Sequence, residues 1–317
     1  MNHNRMTGFG ADTTTDDVLA GIDLNGKTIL ITGGSSGLGK ESARALASHG
    51  AKVIITARNL KKAASVVDQI QQETGATVDI EELELSDFAS IRAFAKRILE
   101  RPEFIDVLIL NAGIMACPYS KTEDGFEMQF GTNHLGHFLM TCLIVPKLSE
   151  GGRIISLSSA GHQFSPVVFD DIQFENRDYD RWLSYGQAKT ANALFAVGLN
   201  KRLAYRSIEA FAIHPGAIQT DLARHLTEED IAMYQARVES GAMSPKTIPA
   251  GAATQVLAAT APELAGKGGT YLADCQICEV DDQADSWSVV RFYAVDPEAA
   301  DRLWQTSEKM IGESFNL

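Results

Sequence analysis

From residue 27 onward, short runs of β-branched and apolar residues alternate with longer segments that have helical spacing. The runs lack the polar alternation of half-exposed strands, which predicts strands covered on both faces. They comprise residues 28–31, 53–56, 106–110, 154–157 and 208–213. Between the second and third runs, apolar residues from Phe88 to Ile98 recur on one helical face, capped by Ser86 or Asp87. Strands that alternate with helices predict an α/β fold with a doubly wound parallel sheet.

This architecture predicts where a ligand binds. In open parallel sheets, ligands lie outside the carboxyl ends of the strands, near the point where the strand order reverses. Side chains that follow the apolar runs are therefore the candidates for a site. Because the chain shows neither a repeat nor a linker-like stretch, residues 26–317 are expected to form one domain behind a polar N-terminal arm, residues 1–25.

The composition narrows the range of partners. The chain has 28 basic and 41 acidic residues, a net charge of −13, which repels nucleic-acid phosphates and anionic membranes. The N-terminal arm lacks the apolar core of a secretory signal. The longest near-apolar run, residues 138–145, is far shorter than the roughly 20 residues that a membrane span requires. We expect a cytoplasmic protein with no membrane span and no nucleic-acid partner.

Neither the cysteines nor the histidines predict a metal site. Cys275 and Cys278 form a C-x-x-C, which is compatible with a redox pair or half a metal site. However, no second pair stands at metal-ligand spacing, and residues 269–280 are predicted to form a strand. His134 and His137 lie close together, but no carboxylate stands at ligand spacing from them. We expect all four side chains to be structural.

A glycine-rich turn, TGGSSGLG at residues 32–39, follows the first predicted strand. Glycines let the backbone turn sharply and approach a pyrophosphate, whose charge is favoured at the N-terminus of the next helix. The candidate contacts are Gly33, Ser35, Ser36, Gly37, Leu38 and Gly39. Because the spacing differs from G-x-G-x-x-G, the turn taken alone also fits a purely structural role.

The end of the second predicted strand bears on cofactor choice. Dinucleotide-binding folds that use NAD usually place an acidic residue here for the ribose 2′-hydroxyl, whereas this chain has Ala57 followed by Arg58. A guanidinium can bind a 2′-phosphate through two parallel hydrogen bonds. Lys61 and Lys62 either add positive charge or lie on a solvated helix face. This pattern predicts NADP(H) in preference to NAD(H).

Tyr185 and Lys189 are four residues apart, so on a helix they are neighbours on one face. A free tyrosine has a pKa near ~10, and a nearby ammonium stabilises the phenolate. Lowering this pKa by two to three units requires about 3–4 kcal/mol, which a partly desolvated pair can supply. The spacing alone also fits an exposed tyrosine and a solvated lysine.

Further motifs follow in chain order: Asn111-Ala112-Gly113, Asn133, Ser158-Ser159, Tyr185-x-x-x-Lys189, and Pro215-Gly216 with Thr220. With the glycine-rich turn, they resemble the short-chain dehydrogenase/reductase family over about residues 25–275, and the resemblance implies a Rossmann-like fold. The stretch NHLGHF at 133–138 and the separation of 26 residues (185 − 159) between Ser159 and Tyr185 are similar to retinol-dehydrogenase-like and WW-domain-oxidoreductase-like members.

This resemblance assigns roles at the catalytic centre. Tyr185 would be the general acid in ketone reduction and the general base in alcohol oxidation. Lys189 would lower the pKa of Tyr185 and hold the nicotinamide ribose. The family normally uses the second serine of the pair, so Ser159 rather than Ser158 would steady the substrate oxygen. Asn133 would complete a proton relay through water to Lys189.

The resemblance also implies contacts to the cofactor beyond the glycine-rich turn and Arg58. Glu84 would lie beside the adenine, where an aspartate is commoner in the family, and Thr220 would contact the nicotinamide carboxamide. Tyr185 and Lys189 would contribute part of the cofactor contact. The remaining residues implied in this way are Leu85, Asn111, Ala112, Gly113, Pro215, Gly216 and Ile218.

Together these features predict an oxidoreductase that transfers a hydride between NADP(H) and an alcohol/carbonyl pair. Protochlorophyllide reductase has a similar pattern, so reduction of a carbon–carbon double bond is an alternative. A regulatory protein that senses dinucleotides is another, although such proteins typically lose the tyrosine or the lysine. The resemblance also implies a homo-oligomer, because members of the family usually associate through the helices that correspond to 123–147 and 185–203.

Residues 221–249 are predicted to form a lid over a bulky, largely apolar substrate. They directly follow Thr220, which by resemblance contacts the nicotinamide, so they would pass over the open side of the cofactor. The sequence TEED at 227–230 resembles a helix start. The apolar candidates on the lid are Leu222, Leu226, Ile231, Met233, Tyr234, Val238 and Met243. The candidates for the opposite wall are Val167, Val168, Phe169 and Phe174. These side chains also fit a role in packing the lid onto the domain.

Overall fold

The computed structural model describes residues 8–241 and 243–317. The strands are β1 (Thr28–Ile31), β2 (Lys52–Ala57), β3 (Val78–Glu82), β4 (Ile105–Leu110), β5 (Leu148–Leu157), β6 (Glu209–His214), β7 (Tyr271–Ala273), β8 (Gln276–Ile277), β9 (Glu279–Val280) and β10 (Val289–Val290). The α-helices are α1 (Thr15–Leu19), α2 (Gly37–Ser48), α3 (Leu60–Thr74), α4 (Phe88–Glu100), α5 (Met128–Phe130), α6 (Gly136–Ile144), α7 (Arg181–Arg202), α8 (Glu228–Glu239), α9 (Ile248–Thr260) and α10 (Pro297–Ile311).

The main sheet has the strand order β3-β2-β1-β4-β5-β6-β7-β8, and every pairing from β3 to β7 is parallel. Along β1, Ile29 and Ile31 belong to the core on one face of the sheet and Leu30 to the core on the other. All three are fully buried, which explains the unbroken apolar run in the sequence. The predicted doubly wound, Rossmann-like sheet is therefore confirmed, and its order reverses between β1 and β4.

Two parts of the sheet depart from the sequence prediction. β3 was missed because it is an edge strand with half-exposed residues, so it lacks an apolar run. The single strand predicted at 269–280 is wrong. Asp274 and Cys275 have positive φ angles of 51° and 58°, and this turn folds β8 back antiparallel to β7.

The helices that carry site residues begin and end near the predicted positions. The helix expected from residue 123 begins at Met128, where the Glu127 carboxylate accepts from the main-chain N–H of Gln129 and Phe130. Residues 131–135 form a π-helical turn before α6. α7 begins at Arg181, and the Asp180 carboxylate before it caps the N–H groups of Trp182 and Leu183, so Tyr185 lies in the second turn of the helix.

The described part of the predicted N-terminal arm, residues 8–25, packs against the sheet domain. Val18 and Leu19 of α1 join the apolar core formed with α2 and α9. Arg44 of α2 binds the Asp16 carboxylate at 2.8 Å. Residues 1–7 of that arm lie outside the described residues. Within the described ranges, no helix combines the length and apolarity needed to span a membrane.

Candidate active site

A cavity of about 970 Å³ lies at the carboxyl ends of β1, β2, β4, β5 and β6, where the sequence predicted a ligand. Of the predicted site residues, Gly39 and Asn133 do not line it. Those that line it are Gly33, Ser35, Ser36, Gly37, Leu38, Arg58, Glu84, Leu85, Asn111, Ala112, Gly113, Ser159, Tyr185, Lys189, Pro215, Gly216, Ile218 and Thr220. The tertiary fold thus gathers residues from the whole chain around one space.

The glycine-rich turn leaves the N-terminus of α2 open toward the cavity. Gly33 has a φ of +70°, and a Cβ there would lie 2.9 Å from the Cα of Ala112, so another residue would be strained and crowded. Ser36 is the N-cap of α2 but its side chain makes no capping hydrogen bond. The first N–H groups of α2 are therefore available to an anion. Gly39 faces inward, where a Cβ would collide with the Gly33 carbonyl.

The loop after β4 holds this turn in place. The Asn111 side-chain amide donates to the carbonyl oxygens of Thr32 at 2.8 Å and Gly33 at 3.2 Å. The main-chain N–H of Ala112 donates to the Thr32 hydroxyl at 3.0 Å. Asn111 and Ala112 therefore shape the cavity by fixing the turn across the strand-order switch.

Charged side chains from three segments lie at the end of β2. The Arg58 side chain is 64% exposed, and its Nη1 lies 3.4 Å from the Glu84 carboxylate. The other oxygen of Glu84 accepts hydrogen bonds from the N–H and hydroxyl of Ser86. This single long contact leaves most of the five guanidinium N–H donors of Arg58 available to a ligand. Lys62 instead pairs with Asp221.

Tyr185 and Lys189 are both buried at the centre of the cavity wall. Burial raises the pKa of Tyr185 to about 12, against a hydrogen bond with Ser159 that lowers it. The Lys189 ammonium lies 5.7 Å from the centroid of the Tyr185 ring and donates to the Leu157 carbonyl at 2.9 Å. Burial lowers the pKa of Lys189 to about 8. The lowered Tyr185 pKa that the spacing predicted is therefore wrong: desolvation raises this pKa, and the interaction that opposes it is the hydrogen bond with Ser159 and not the Lys189 ammonium.

The two adjacent serines have different surroundings. The Ser158 hydroxyl donates to the Lys189 carbonyl at 2.7 Å, so it ties the end of β5 to α7. The Ser159 hydroxyl accepts from the N–H of Gly161 at 3.0 Å and lies beside the Tyr185 phenol. A Cβ on Gly161 would lie 2.7 Å from the Tyr185 ring, so a larger residue here would displace the ring. Both serines line the cavity, but the Ser159 hydroxyl bonds the Tyr185 phenol, whereas the Ser158 hydroxyl is engaged by the Lys189 carbonyl.

Asn133 is fully buried behind the loop that follows β4. Its side-chain oxygen accepts from the Ile114 N–H, and its side-chain nitrogen donates to the Ile114 carbonyl, both at 2.9 Å. A Cβ on Gly113 would lie 3.2 Å from the Asn133 oxygen and 3.7 Å from the Lys189 nitrogen. Asn133 therefore fixes the loop next to Lys189. Gly113 has no side chain, so the space between the Asn133 amide and the Lys189 ammonium stays open.

The histidines and cysteines that suggested metal binding are packed into the core. His134 lies among Phe130 and Phe195 and bonds Ser307, while His137 bonds Thr32. Burial raises the pKa of Cys275 to about 11 and that of Cys278 to about 12, which keeps both thiols protonated at neutral pH. Among residues 8–241 and 243–317, no group of His, Cys, Asp and Glu is arranged to hold a metal ion.

One wall of the cavity comes from the predicted lid. Leu222, Leu226, Ile231, Met233, Tyr234 and Met243 line it, whereas Val238 does not. α8 begins with a capping box between Thr227 and Asp230, as the sequence predicted.

The opposite wall differs from the prediction. None of the four apolar residues at 167–174 lines the cavity; the large aromatic side chains that line it outside the lid, besides Tyr185, are Phe164, Trp182 and Trp287. Val167 packs into a separate core with Phe130, and Phe174 packs against Tyr179. The insertion folds away because it covers α5 and α7. Trp182, three residues before Tyr185 on the same helix face, carried a sequence signal that was missed; Trp287 carried none.

Comparison with known proteins agrees with this geometry. A family model described as short chain dehydrogenase matches residues 27–231. The chain is 39% identical to retinol dehydrogenase 12 of Homo sapiens over 294 residues, covering 92% of this chain and 88% of that protein. It also resembles the crystal structure of an uncharacterized protein from Mycobacterium paratuberculosis, with 32% identity, a TM-score of 0.72, and coverage of 98% of this chain and 100% of that one.

A third match is the crystal structure of a short chain dehydrogenase from Burkholderia cenocepacia in complex with NADP. It shares 27% identity and a TM-score of 0.63 over 78% of this chain and 96% of that one. The family model matches well over half of the chain. The similar proteins include retinol dehydrogenases 11 and 14 besides retinol dehydrogenase 12. This protein therefore belongs to the short-chain dehydrogenase family, in its retinol-dehydrogenase-like subgroup.

Proposed function

We propose that this oxidoreductase transfers a hydride between NADP(H) and an alcohol/carbonyl pair on a bulky, largely apolar substrate. The observation that carries the proposal is the position of the Tyr185 phenol. It lies beside Ser159 in a cavity that continues on one side to the open N-terminus of α2 and on the other to the apolar lid.

The residues present fit a nicotinamide dinucleotide. The Gly33 turn has no room for a side chain, and the uncapped first turn of α2 offers N–H donors to a pyrophosphate. When bound, the cofactor would supply or accept the hydride at its nicotinamide ring. Lys189 would hold the ribose next to that ring, and Pro215, Gly216 and Thr220 would border it.

Arg58 supports NADP(H) over NAD(H). No acidic residue occupies the place of Ala57, and the Arg58 guanidinium keeps donors available for a 2′-phosphate. The Burkholderia cenocepacia structure, which shares this fold, is an NADP complex.

The buried phenol can act as the proton donor for carbonyl reduction at neutral pH. With a pKa of about 12, Tyr185 keeps its proton and can deliver it to a substrate oxygen as hydride arrives. The Ser159 hydroxyl would donate to the same oxygen as negative charge develops on it. Oxidation of an alcohol would need the phenolate, which becomes more abundant as the pH rises.

The lid supports an apolar substrate. Ile231 and Met233 of α8 line the cavity, yet they are 45% and 57% exposed, so they have apolar surface to bury against a ligand. Phe164, Trp182 and Trp287, which line the same cavity, offer further apolar area. Human retinol dehydrogenase 12 is named for an apolar alcohol.

Steady-state oxidation of NADPH with a series of ketones of increasing apolar size tests this function. We expect kcat/KM to rise with apolar size, to be lost in Tyr185→Phe, and to be far lower with NADH. A preference for small polar sugars would contradict the substrate class. Reduction of an enone at its double bond but not of the saturated ketone would point to the alternative reaction, and binding of NADPH without turnover would point to a sensor.

The cytoplasmic location and the homo-oligomer stay predictions. The structure bears on the oligomer in one respect, because α10 packs along α7 and Trp304 lies between Phe138 and Arg202. Association through α6 and α7, as the sequence predicted, would have to use the few residues of these helices that are not buried, such as Leu143 and Val197.

A further inference from the structure

The carboxylates that line the cavity already have basic partners. Glu84 lies beside Arg58, Asp221 beside Lys62, and Asp230 beside Arg181 at 2.8 Å. Asp230 also accepts from the Trp182 indole N–H at 3.1 Å. Within this lining, the negative charges are therefore matched by cations from neighbouring segments.

Arg237 of α8 also lines the cavity, and it has no such match. Among residues 8–241 and 243–317, no carboxylate lies within ion-pair distance of its guanidinium, and its Nε is buried without a hydrogen-bond partner. A guanidinium has five N–H donors and stays charged in proteins. Arg237 is only partly buried, and its two Nη groups are not among the buried, unpartnered atoms, so they are the donors that an anionic group in the cavity could reach.

The surroundings hold this guanidinium at the cavity wall. Its central carbon lies 5.0 Å from the Trp287 ring centroid, a cation–π contact. Trp287 is itself fixed near the end of β6, with its ring 6.5 Å from that of His214. An aromatic ring covers one face of a guanidinium, and the edge formed by the two Nη groups can still bind a carboxylate in a bidentate manner.

A second arginine of the lid adds positive charge to the cavity lining. Arg224 lines the same cavity, and its Nη1 donates to the main-chain oxygen of Asp221 at 3.1 Å. The cavity lining has four basic side chains, Arg58, Lys189, Arg224 and Arg237, against three carboxylates, Glu84, Asp221 and Asp230, in a chain whose net charge is −13. Asp230, which contacts Trp182, and Arg237, which contacts Trp287, are seven residues apart on α8 (237 − 230). This separation is about 10 Å along the helix, so Arg237 is distinct from the ion pair of Asp230.

We propose that Arg237, over Trp287, binds a carboxylate group of the substrate. The substrate class is then an amphipathic oxo or hydroxy acid. Its apolar body lies along the lid, its reacting oxygen meets Tyr185, and its acid group meets Arg237. This inference rests on the proposed function, since it names the class of carbonyl compound that the same cavity takes.

The test uses γ-benzoylbutyrate, an aromatic keto acid, and its methyl ester, which keeps the ketone but lacks the charge. Isothermal titration calorimetry with protein saturated by NADP⁺ measures binding without turnover, because oxidised cofactor cannot reduce a ketone. We expect the wild type to bind the acid at least ten-fold more tightly than the ester. Arg237→Met should weaken binding of the acid about ten- to hundred-fold and of the ester less than three-fold, and Arg237→Lys should fall in between.

The matched control is Arg302→Met. Arg302 also lies over an aromatic ring, Phe169 at 4.3 Å, but it does not line the cavity, so both affinities should stay unchanged. Equal binding of acid and ester by the wild type, or no measurable binding of the acid, would overturn the proposal. Equal losses for both probes in Arg237→Met would show that Arg237 merely packs the lid. Thermal unfolding of each variant checks that it is folded.

NADPH oxidation with the same two ketones separates this inference from the proposed function. If the ester and the acid are reduced with equal kcat/KM, carbonyl reduction stands and the carboxylate site is wrong. If neither is reduced while the acid still binds through Arg237, the carboxylate site stands and carbonyl reduction is wrong.

Discussion

The Lys62 ammonium lies 2.8 Å from the Asp221 carboxylate, and this ion pair joins the start of α3 to the first residues of the lid. Asp221 also bonds the Ser36 hydroxyl at the N-terminus of α2, and both interactions lower the pKa of Asp221. A negative charge therefore stands beside the helix end proposed for the pyrophosphate. It also engages a lysine close to Arg58.

Asp221→Asn should tighten the binding of NADPH. The substitution removes a like charge near the pyrophosphate and releases Lys62 toward the 2′-phosphate. Because both partners are exposed, the gain should be modest, about two- to five-fold in Kd. Fluorescence titration of NADPH measures it, with Asp170→Asn as the control because Asp170 is exposed and pairs with Arg302 outside the cavity. Weaker binding in Asp221→Asn would show that the ion pair helps to form the cofactor site.

Tyr185→Phe should abolish turnover while NADPH affinity stays within a few-fold of wild type. The phenol supplies the proton, whereas it makes a small part of the proposed cofactor contact. The phenylalanine ring keeps the packing against Gly161. Stopped-flow and steady-state kinetics with NADPH and a ketone measure the loss. More than about a tenth of the wild-type kcat in the variant would rule out Tyr185 as the proton donor.

Arg58→Ala should reduce the preference for NADPH over NADH by about ten- to hundred-fold. A charge-assisted hydrogen bond contributes roughly 1.5–3 kcal/mol, and the lost contact concerns only the 2′-phosphate. The ratio of the two Kd values, from parallel titrations, measures it. Arg97→Ala is the control, since Arg97 also pairs with a glutamate, Glu81, but does not line the cavity. An unchanged ratio would remove Arg58 as the selecting residue.

Gly161→Ala should lower kcat by at least about ten-fold, because its Cβ would lie 2.7 Å from the Tyr185 ring and displace the phenol. The crowding should also cost about 1–3 kcal/mol of stability. Gly198→Ala in the same helix as Tyr185 is the control, since its nearest neighbour, a Trp304 carbon, lies at 3.4 Å. Wild-type kcat in Gly161→Ala would show that the ring position tolerates the shift.

The free energy of unfolding should fall as the pH drops below about 6.5. Burial lowers the pKa to about 3 for His134 and His214 and to about 4 for His137 and His162. The unfolded chain, with histidine pKa values near ~6.5, therefore binds more protons than the folded one below this pH. The stability from neutral histidines is complete above pH ~6.5 and is lost as the pH falls toward ~4.

Each such histidine contributes a slope of at most about 1.4 kcal/mol per pH unit in this window. Urea unfolding at a series of pH values measures the slope. His134→Phe places a phenyl ring among Phe130 and Phe195. The variant should take up about one proton fewer on unfolding, so the slope of stability against pH should become correspondingly smaller. A stability that does not change between pH 7 and pH 5 would contradict the burial of these side chains as neutral groups.

Much of the fold and the site was predictable because the signals are local. Four of the predicted strands lie within observed ones and the fifth overlaps β6 within one residue, since a strand buried on both faces must be apolar throughout. The glycine-rich turn and the Tyr185–Lys189 pair depend on spacings of a few residues. By contrast, the turn at Asp274 and Cys275 depends on φ angles that neither residue type demands, and the strand predicted there was wrong.

The sequence by itself determined the doubly wound sheet, the position of the cavity at the carboxyl ends of the strands, and most of the residues around it. Tertiary structure decided the rest. It buried Tyr185, so that desolvation raises the pKa that the spacing predicted to be lowered, and it gave Ser158 and Ser159 different partners. It also brought Trp287 under Arg237, fifty residues away along the chain (287 − 237). Periodicity and spacing act through neighbouring residues, whereas burial and charge pairing depend on which distant segments meet.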